Sequence, residues 1–147
     1  VFTNYIGSIE NICKSLEERE IAYLSMTGST KDRQQLVNKF QKNEKYKVFV
    51  MTLKTGGVGL NLTAADTIFI YDPWWNKTVE NQAIDRAYRL GQDRTVFSYK
   101  LILKDTIEEK ILQLQELKSK LLDDVISEDN LSNKSFTEKE IEFILGK

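Results

Sequence analysis

Gln82, Arg86 and Arg89 are the side chains whose type and spacing point most directly to chemistry, and they lie in one stretch, Asn81 to Gln92, N-Q-A-I-D-R-A-Y-R-L-G-Q. Steps of four and then three residues stack them on one face of a helix, while Ala83, Ile84, Ala87 and Leu90 fall on the face turned toward a core. Gly91 follows the last periodic residue and predicts a left-handed cap that leaves Arg89 in the final turn. A guanidinium is a planar fork of donors that stays charged, the usual group for stabilising charge on a phosphoryl in transfer. A solvated helix face with incidental i,i+3 charges has the same spacing, so the neighbouring motifs must decide. The chain has no histidine, which removes Ser-His and Cys-His catalysis, His-ligated metals and the usual general base. Any chemistry falls to Arg, Lys, Asp and Glu.

The glycine segment Thr55-Gly56-Gly57-Val58-Gly59-Leu60-Asn61-Leu62 invites a phosphate-cradle reading. It lacks the G-K-[ST] ending of a P-loop and the G-x-G-x-x-G spacing of a dinucleotide fold, so a tight structural turn is an equal alternative. Nothing else supplies a P-loop lysine or a pair of magnesium carboxylates. Two phosphate-seeking arginines without a cradle imply that another domain holds the nucleotide and that they reach it across an interface, as arginine fingers do.

The elements that position these residues follow from composition and periodicity. A chain of 147 residues, 41% hydrophobic and 29% charged, is expected to form one globular domain. No apolar run approaches a membrane span and no charged-then-apolar leader opens the sequence, so an intracellular protein is expected. The chain opens inside a strand, which suggests a piece of a longer polypeptide. Cys13 is the single cysteine, placed on the Ile9, Ile12, Cys13, Leu16 stripe as a small hydrophobe. The net charge of −1 is unevenly spread: residues 1 to 104 carry 15 Lys+Arg against 11 Asp+Glu, or +4, and residues 105 to 147 carry 6 against 11, or −5. A local basic surface can still meet phosphates, because the electrostatic attraction depends on the charges that reach them.

Strands are predicted at Val1–Tyr5, Ile21–Met26, Lys47–Met51, Thr67–Tyr71 and Val96–Leu103, the third and fourth buried on both faces. Helices are predicted at Ser8–Glu18, at Lys31–Gln41 behind a hydroxyl-capping Thr27-Gly28-Ser29-Thr30 turn, and over the arginine stretch. A long helix, Thr106–Ile126, carries Ile107, Ile111, Leu114, Leu117, Leu121 and Val125 on one stripe, which is expected to dock on its own domain. A polar linker, Glu128–Lys134, leads to a short capped helix, Thr137–Leu145. The alternation of strand and helix predicts an α/β domain of three layers around a parallel sheet. T-G-S-T, the glycine segment and D-P-W-W-N (Asp72–Asn76) each begin where a strand ends, the edge at which such sheets gather ligands.

At this point the motifs carry a resemblance. V-F-V-M-T-L-K-T-G-G-V-G-L-N-L-T-A-A-D-T-I-F-I-Y-D-P-W-W-N, running into E-N-Q-A-I-D-R-A-Y-R-L-G-Q, resembles the fifth and sixth helicase motifs of Swi/Snf-type DNA-dependent ATPases in helicase superfamily two. M-T-G-S-T-K-D-R-Q-Q-L-V-N-K-F resembles an upstream segment of the same family. The resemblance covers nearly all of residues 1 to 126. It implies a RecA-like lobe with the P-loop NTPase-type fold but without its own P-loop, at residues 1–105, followed by a C-terminal helical extension at 106–147 whose first helix braces the other lobe.

By the same resemblance Arg86 and Arg89 approach the γ-phosphate, with Arg89 as the foremost finger. Gln82, Gly57, Gly59 and Asn61 belong to the nucleotide-linked motifs. Ser29, Thr30, Arg33, Thr52, Lys54, Trp75 and Asn76 match the DNA-facing segments, while Trp74 is expected in the core. Tyr88 stands where the family usually has histidine, and its ring is expected to face away from the arginines. ATP and Mg2+ are implied, held mainly by an N-terminal lobe of the same polypeptide, with double-stranded DNA as the track. No metal is expected on this lobe, and the isolated chain is expected to be a monomer without ATPase activity. A non-catalytic interaction domain that kept the fold, and a lobe of an RNA-directed helicase, are the alternatives.

Overall fold

The computed structural model of the chain describes residues 1–56 and 59–124, with side chains through residue 119. Five strands, β1 (Phe2–Thr3), β2 (Tyr23–Met26), β3 (Val48–Thr52), β4 (Thr67–Ile70) and β5 (Phe97–Lys100), form one sheet in the order β2-β3-β1-β4-β5. Every neighbouring pair is parallel. Between and after them come α1 (Ile6–Glu17), α2 (Arg33–Lys42), α3 (Leu53–Gly56), α4 (Lys77–Ile84) and α5 (Ile107–Asp124). The expected three-layer RecA-like arrangement is present.

Strand alternation sorts the core into two layers. Phe49 and Met51 of β3 join Phe2, Leu24, Met26, Ile68 and Ile70 against Val37 of α2, Leu53 of α3 and Ala83 of α4. Val50 faces the other way, against Ile9 and Cys13 of α1. Val50 and Met51 are 0% and 1% exposed, and burying side chains of this size contributes roughly 1.5–3 kcal/mol each. β3 is thus buried on both faces, as its unbroken apolar run predicts.

β4 departs from the expectation of burial on both faces: Ile68 and Ile70 are buried, but Phe69 and Tyr71 are exposed. The cause is topological. Only the step from β1 back to β2 runs toward the left of the sheet order, and right-handed crossovers place its helix, α1, on the face opposite to α2, α3 and α4. α1 covers β1, β2 and β3, so the same face of β4 and β5 carries an open row in which the Phe69 and Tyr99 rings stack at 5.4 Å.

The long helix also differs from its predicted stripe. Leu114 is buried, but Ile107 and Leu117 are about half exposed, and Gln115 is the polar neighbour that goes inward. The linker Glu128–Lys134 and the helix expected at Thr137–Leu145 lie outside the described residues, as does Val125.

Candidate functional site

α4 is capped at its start by Asn76, whose side chain accepts the Thr78 N–H at 3.0 Å. It ends at Ile84, five residues before Arg89, which corrects the expectation of one helix reaching to Gly91. Beyond Ile84 the chain tightens into turns, with Arg86 N–H donating to the Ala83 carbonyl and Ala87 N–H to that of Ile84. The next carbonyls of the ladder are engaged elsewhere, that of Ala87 in part by the Arg89 N–H at 3.2 Å within the turn. The Arg86 carbonyl accepts the Leu62 N–H at 2.8 Å, and the Ala87 carbonyl accepts from Gln92 Nε2 at 3.2 Å. In a continued helix those oxygens would bond to residues 90 and 91. Gly91 supplies the positive φ, +95°, that its position predicts. Leu90, expected in the core, is fully exposed, because the turn rotates it off the buried face.

Arg86 and Arg89 therefore sit on a turn folded against Leu62–Asp66, the segment that feeds the amino end of β4. Arg86 is 9% exposed, with Nε donating to the Gln82 carbonyl at 2.9 Å. Among the described residues its guanidinium makes no ion pair. Burial, and then the neighbouring charge of Arg89, lower its pKa from the usual arginine value, while Asp85 opposes them. Arg86 is thus a buried cation with a like charge beside it and no ion pair among the described residues, a charge that is costly to leave without a partner. Arg89 and Gln82 are exposed. Tyr88 is 72% exposed.

Of the glycine segment, Gly57 lies outside the described residues. Gly59 has φ +52° and Asn61 is exposed. The segment opens as a helical turn, α3: Thr52 and Thr55 hydroxyls bond at 2.7 Å, and Thr55 N–H donates to the Thr52 hydroxyl at 3.2 Å. Thr52 is buried, so its hydroxyl shapes this turn and is not presented outward; Lys54 beside it is exposed.

The Thr27–Thr30 turn is held from within. Thr27 N–H donates to the Thr30 hydroxyl at 3.0 Å, and Arg33 donates to the Thr30 and Gly28 carbonyls at 3.1 and 2.6 Å. The predicted hydroxyl cap of α2 does not form; Asp32 holds the N-cap position without a side-chain bond. Ser29 stays exposed, bonded to the Thr27 hydroxyl at 2.9 Å.

D-P-W-W-N is anchored to the carboxyl end of β1, where the Thr3 hydroxyl and Asn4 N–H donate to the Asp72 carboxylate. Trp74 packs on the core, as expected, with its ring 6.0 Å from that of Trp75. Behind the loop lies a network that no motif of the sequence predicts. Glu80, 2% exposed, accepts the Trp74 N–H at 2.6 Å and pairs with Lys100 at 2.5 Å, while Gln115 donates to Glu80 at 3.2 Å and accepts from Lys100 at 2.8 Å. The available signal was Glu80 on the same helical face as Ala83 and Ala87, a carboxylate in a core-facing position.

The structure thus places Thr27–Thr30, α3 and D-P-W-W-N at the carboxyl ends of β2, β3 and β4, and the arginine turn at the far end of α4. A cavity of about 640 Å³ lined by Phe2, Phe40, Phe49 and Leu62 includes none of the candidate residues. Among the described residues no group of three or more His, Cys, Asp or Glu could hold a metal ion. No described helix is long and apolar enough to cross a membrane.

Residues 1–91 match the family model described as the helicase conserved C-terminal domain. The chain belongs to that family. This helicase lobe is 44% identical over 147 residues, 99% of its length, to the human protein named chromatin-remodeling ATPase INO80, of which it spans 9%. It is 41% identical over 143 residues, 96% of its length, to a Mycoplasma pneumoniae protein named an uncharacterized ATP-dependent helicase, of which it spans 14%. The crystal structure of the C-terminal part of the Fun30 ATPase domain superposes with a TM-score of 0.76 at 30% identity, over 95% of this chain and 40% of that one. These likenesses place the lobe with the Swi/Snf-type ATPases of helicase superfamily two. The chain spans no more than about a seventh of these curated relatives.

Proposed function

We propose that this lobe is the second half of an ATP-driven DNA translocase or remodeller of the Swi/Snf type. Residues 1–105 are the motor lobe and 106–147 its helical extension. ATP and Mg2+ are held mainly by the N-terminal lobe of the same polypeptide, and this lobe completes the site with Arg86 and Arg89, beside Gln82, Gly57, Gly59 and Asn61. The observation that carries the reading is Arg86: a buried guanidinium, adjacent to Arg89 and without an ion pair among the described residues, has the charge and position to receive a phosphoryl group when the lobes close. Mg2+ would neutralise phosphate charge from the other lobe; the described residues here act as donors and cations only.

Duplex DNA is met by the opposite edge, through Ser29, Thr30, Lys54, Trp75 and Asn76. Arg33 joins them while bracing the turn that presents Ser29, and Thr52 supports this edge by shaping the turn that presents Lys54. Closure on ATP and opening after hydrolysis would move this edge along the track, inside the cell. Isolated, the monomeric chain has no cradle and no turnover.

The test is the ATPase rate of the full-length protein, with and without duplex DNA, beside Arg89→Ala and Arg86→Ala. Loss of an arginine finger lowers turnover by about 10³–10⁵-fold, with nucleotide binding retained. Turnover indifferent to both arginines, or ATP hydrolysis by this lobe alone, would sink the reading.

A further inference from the structure

We propose that Gln92 is the positioning residue of the arginine turn: its carboxamide fastens the turn to Leu62–Asp66, and so ties the arginines to the exit of the glycine segment. The inference rests on the assignment of Arg86 and Arg89 to the phosphoryl group. Gln92 Nε2 lies 3.0 Å from the Thr63 carbonyl, 2.8 Å from that of Ala65 and 3.2 Å from that of Ala87, and its Oε1 accepts the Arg94 N–H at 3.0 Å. An amide nitrogen has two hydrogens, so three carbonyls share two donors and one bond is bifurcated. Among the described residues it is the side chain that bonds to both pieces. Gln41 and Arg94 bond to the Thr63–Asp66 side only.

The consequence follows from the competition for carbonyls that ends α4. The Arg86 oxygen is held out of the helical ladder by Leu62 N–H, and that of Ala87 by Gln92 Nε2 together with the Arg89 N–H of the turn itself. Without the carboxamide, Ala87 loses its outside donor, and the turn can rewind toward the helix that its sequence periodicity favours. A helical turn carries side chains around by about 100° per residue, which would re-aim Arg86 and Arg89. Gln92 touches neither the nucleotide nor DNA; it acts through the arginines. It also gives movement of the glycine segment a direct route to them.

The experiment uses the full-length protein with ATP and duplex DNA, and compares Arg86→Ala, Gln92→Met and the double variant. Methionine keeps the length and removes every donor. Gln92→Met is expected to lower kcat about tenfold or more, since small displacements of positioned groups cost up to about 10²-fold, while KM for ATP shifts less than about threefold. In the Arg86→Ala background the same change is expected to add little, because residues acting as one unit are non-additive. Peptide-level hydrogen exchange supplies a readout independent of turnover: faster exchange confined to residues 60–66 and 85–92 supports the inference. Full additivity with Arg86→Ala, unchanged kcat, or exchange that rises equally through β1 and β3 would overturn it, the last marking Gln92 as a general stabiliser. If Arg86→Ala itself leaves kcat intact, the arginine assignment fails first and the inference with it. If Arg86→Ala is slow but Gln92→Met is normal, only the inference fails.

Discussion

Glu80 is a single carboxylate on which three elements depend, which makes it a sharp test at the scale of the residue. Its oxygens serve the backbone of Trp74, the ammonium of Lys100 on β5 and the amide of Gln115 on α5. Removing one partner of a buried pair strands the other charge and costs about 3–5 kcal/mol, whereas replacing both with apolar groups is often neutral. Lys100 is 25% exposed at its side chain, so water reaches the pair and the lower end applies. Lys100→Met is expected to lose about 3 kcal/mol in urea unfolding, and Glu80→Met/Lys100→Met to recover much of that loss. A double variant no better than the single would show that the Trp74 bond, not the ion pair, carries Glu80. Type and spacing single out the two arginines in the sequence, whereas nothing as direct marks Glu80, Gln92 or Gln115. A polar side chain in a helical or turn pattern does not announce which distant carbonyl or ammonium it will meet.

At the scale of the element, the periodic signals held where one face meets one layer. The Ile9, Ile12, Cys13, Leu16 stripe is the buried side of α1, and the apolar run of β3 is the doubly covered strand. They failed where tertiary bonds compete with local ones, as at the end of α4, or where topology withholds a covering helix, as on β4. The start of the glycine segment shows a constraint that spacing alone does not reveal. A Cβ at Gly56 would stand 2.4 Å from Cε1 of Phe2, whose ring is buried in the centre of the sheet. Gly56→Ala is therefore expected to cost about 1–3 kcal/mol as overpacking, by displacing Phe2 or tilting α3. Phe2→Leu should return part of this loss in the double variant. Equal unfolding midpoints for the parent and Gly56→Ala would mean that the ring moves aside freely and that the glycine is kept for the backbone alone.

For the whole molecule, the question is how a chain of net charge −1 can grip a polyanion. The excess of cations in residues 1 to 104, 15 against 11, is offset by the acidic remainder, so long-range attraction is weak and binding depends on the few cations that touch phosphate. On the proposed DNA edge, Arg33 already donates to the Gly28 and Thr30 carbonyls, and Ser29 and Thr30 offer neutral donors. Lys54 and a partly engaged Arg33 leave roughly two phosphate charges to neutralise. For duplex DNA the slope of log affinity against log salt is about −0.9 per phosphate, so a fourfold rise in salt from 50 to 200 mM should weaken binding about tenfold. Anisotropy titrations of the isolated chain on a labelled duplex read this directly, and Lys54→Ala should roughly halve the slope. An affinity that stays flat across the titration would remove phosphate contact as its source and leave stacking on Trp75 as the grip. A much steeper slope would mean that cations outside this edge, Arg86 and Arg89 among them, reach the DNA when no first lobe is present to claim them.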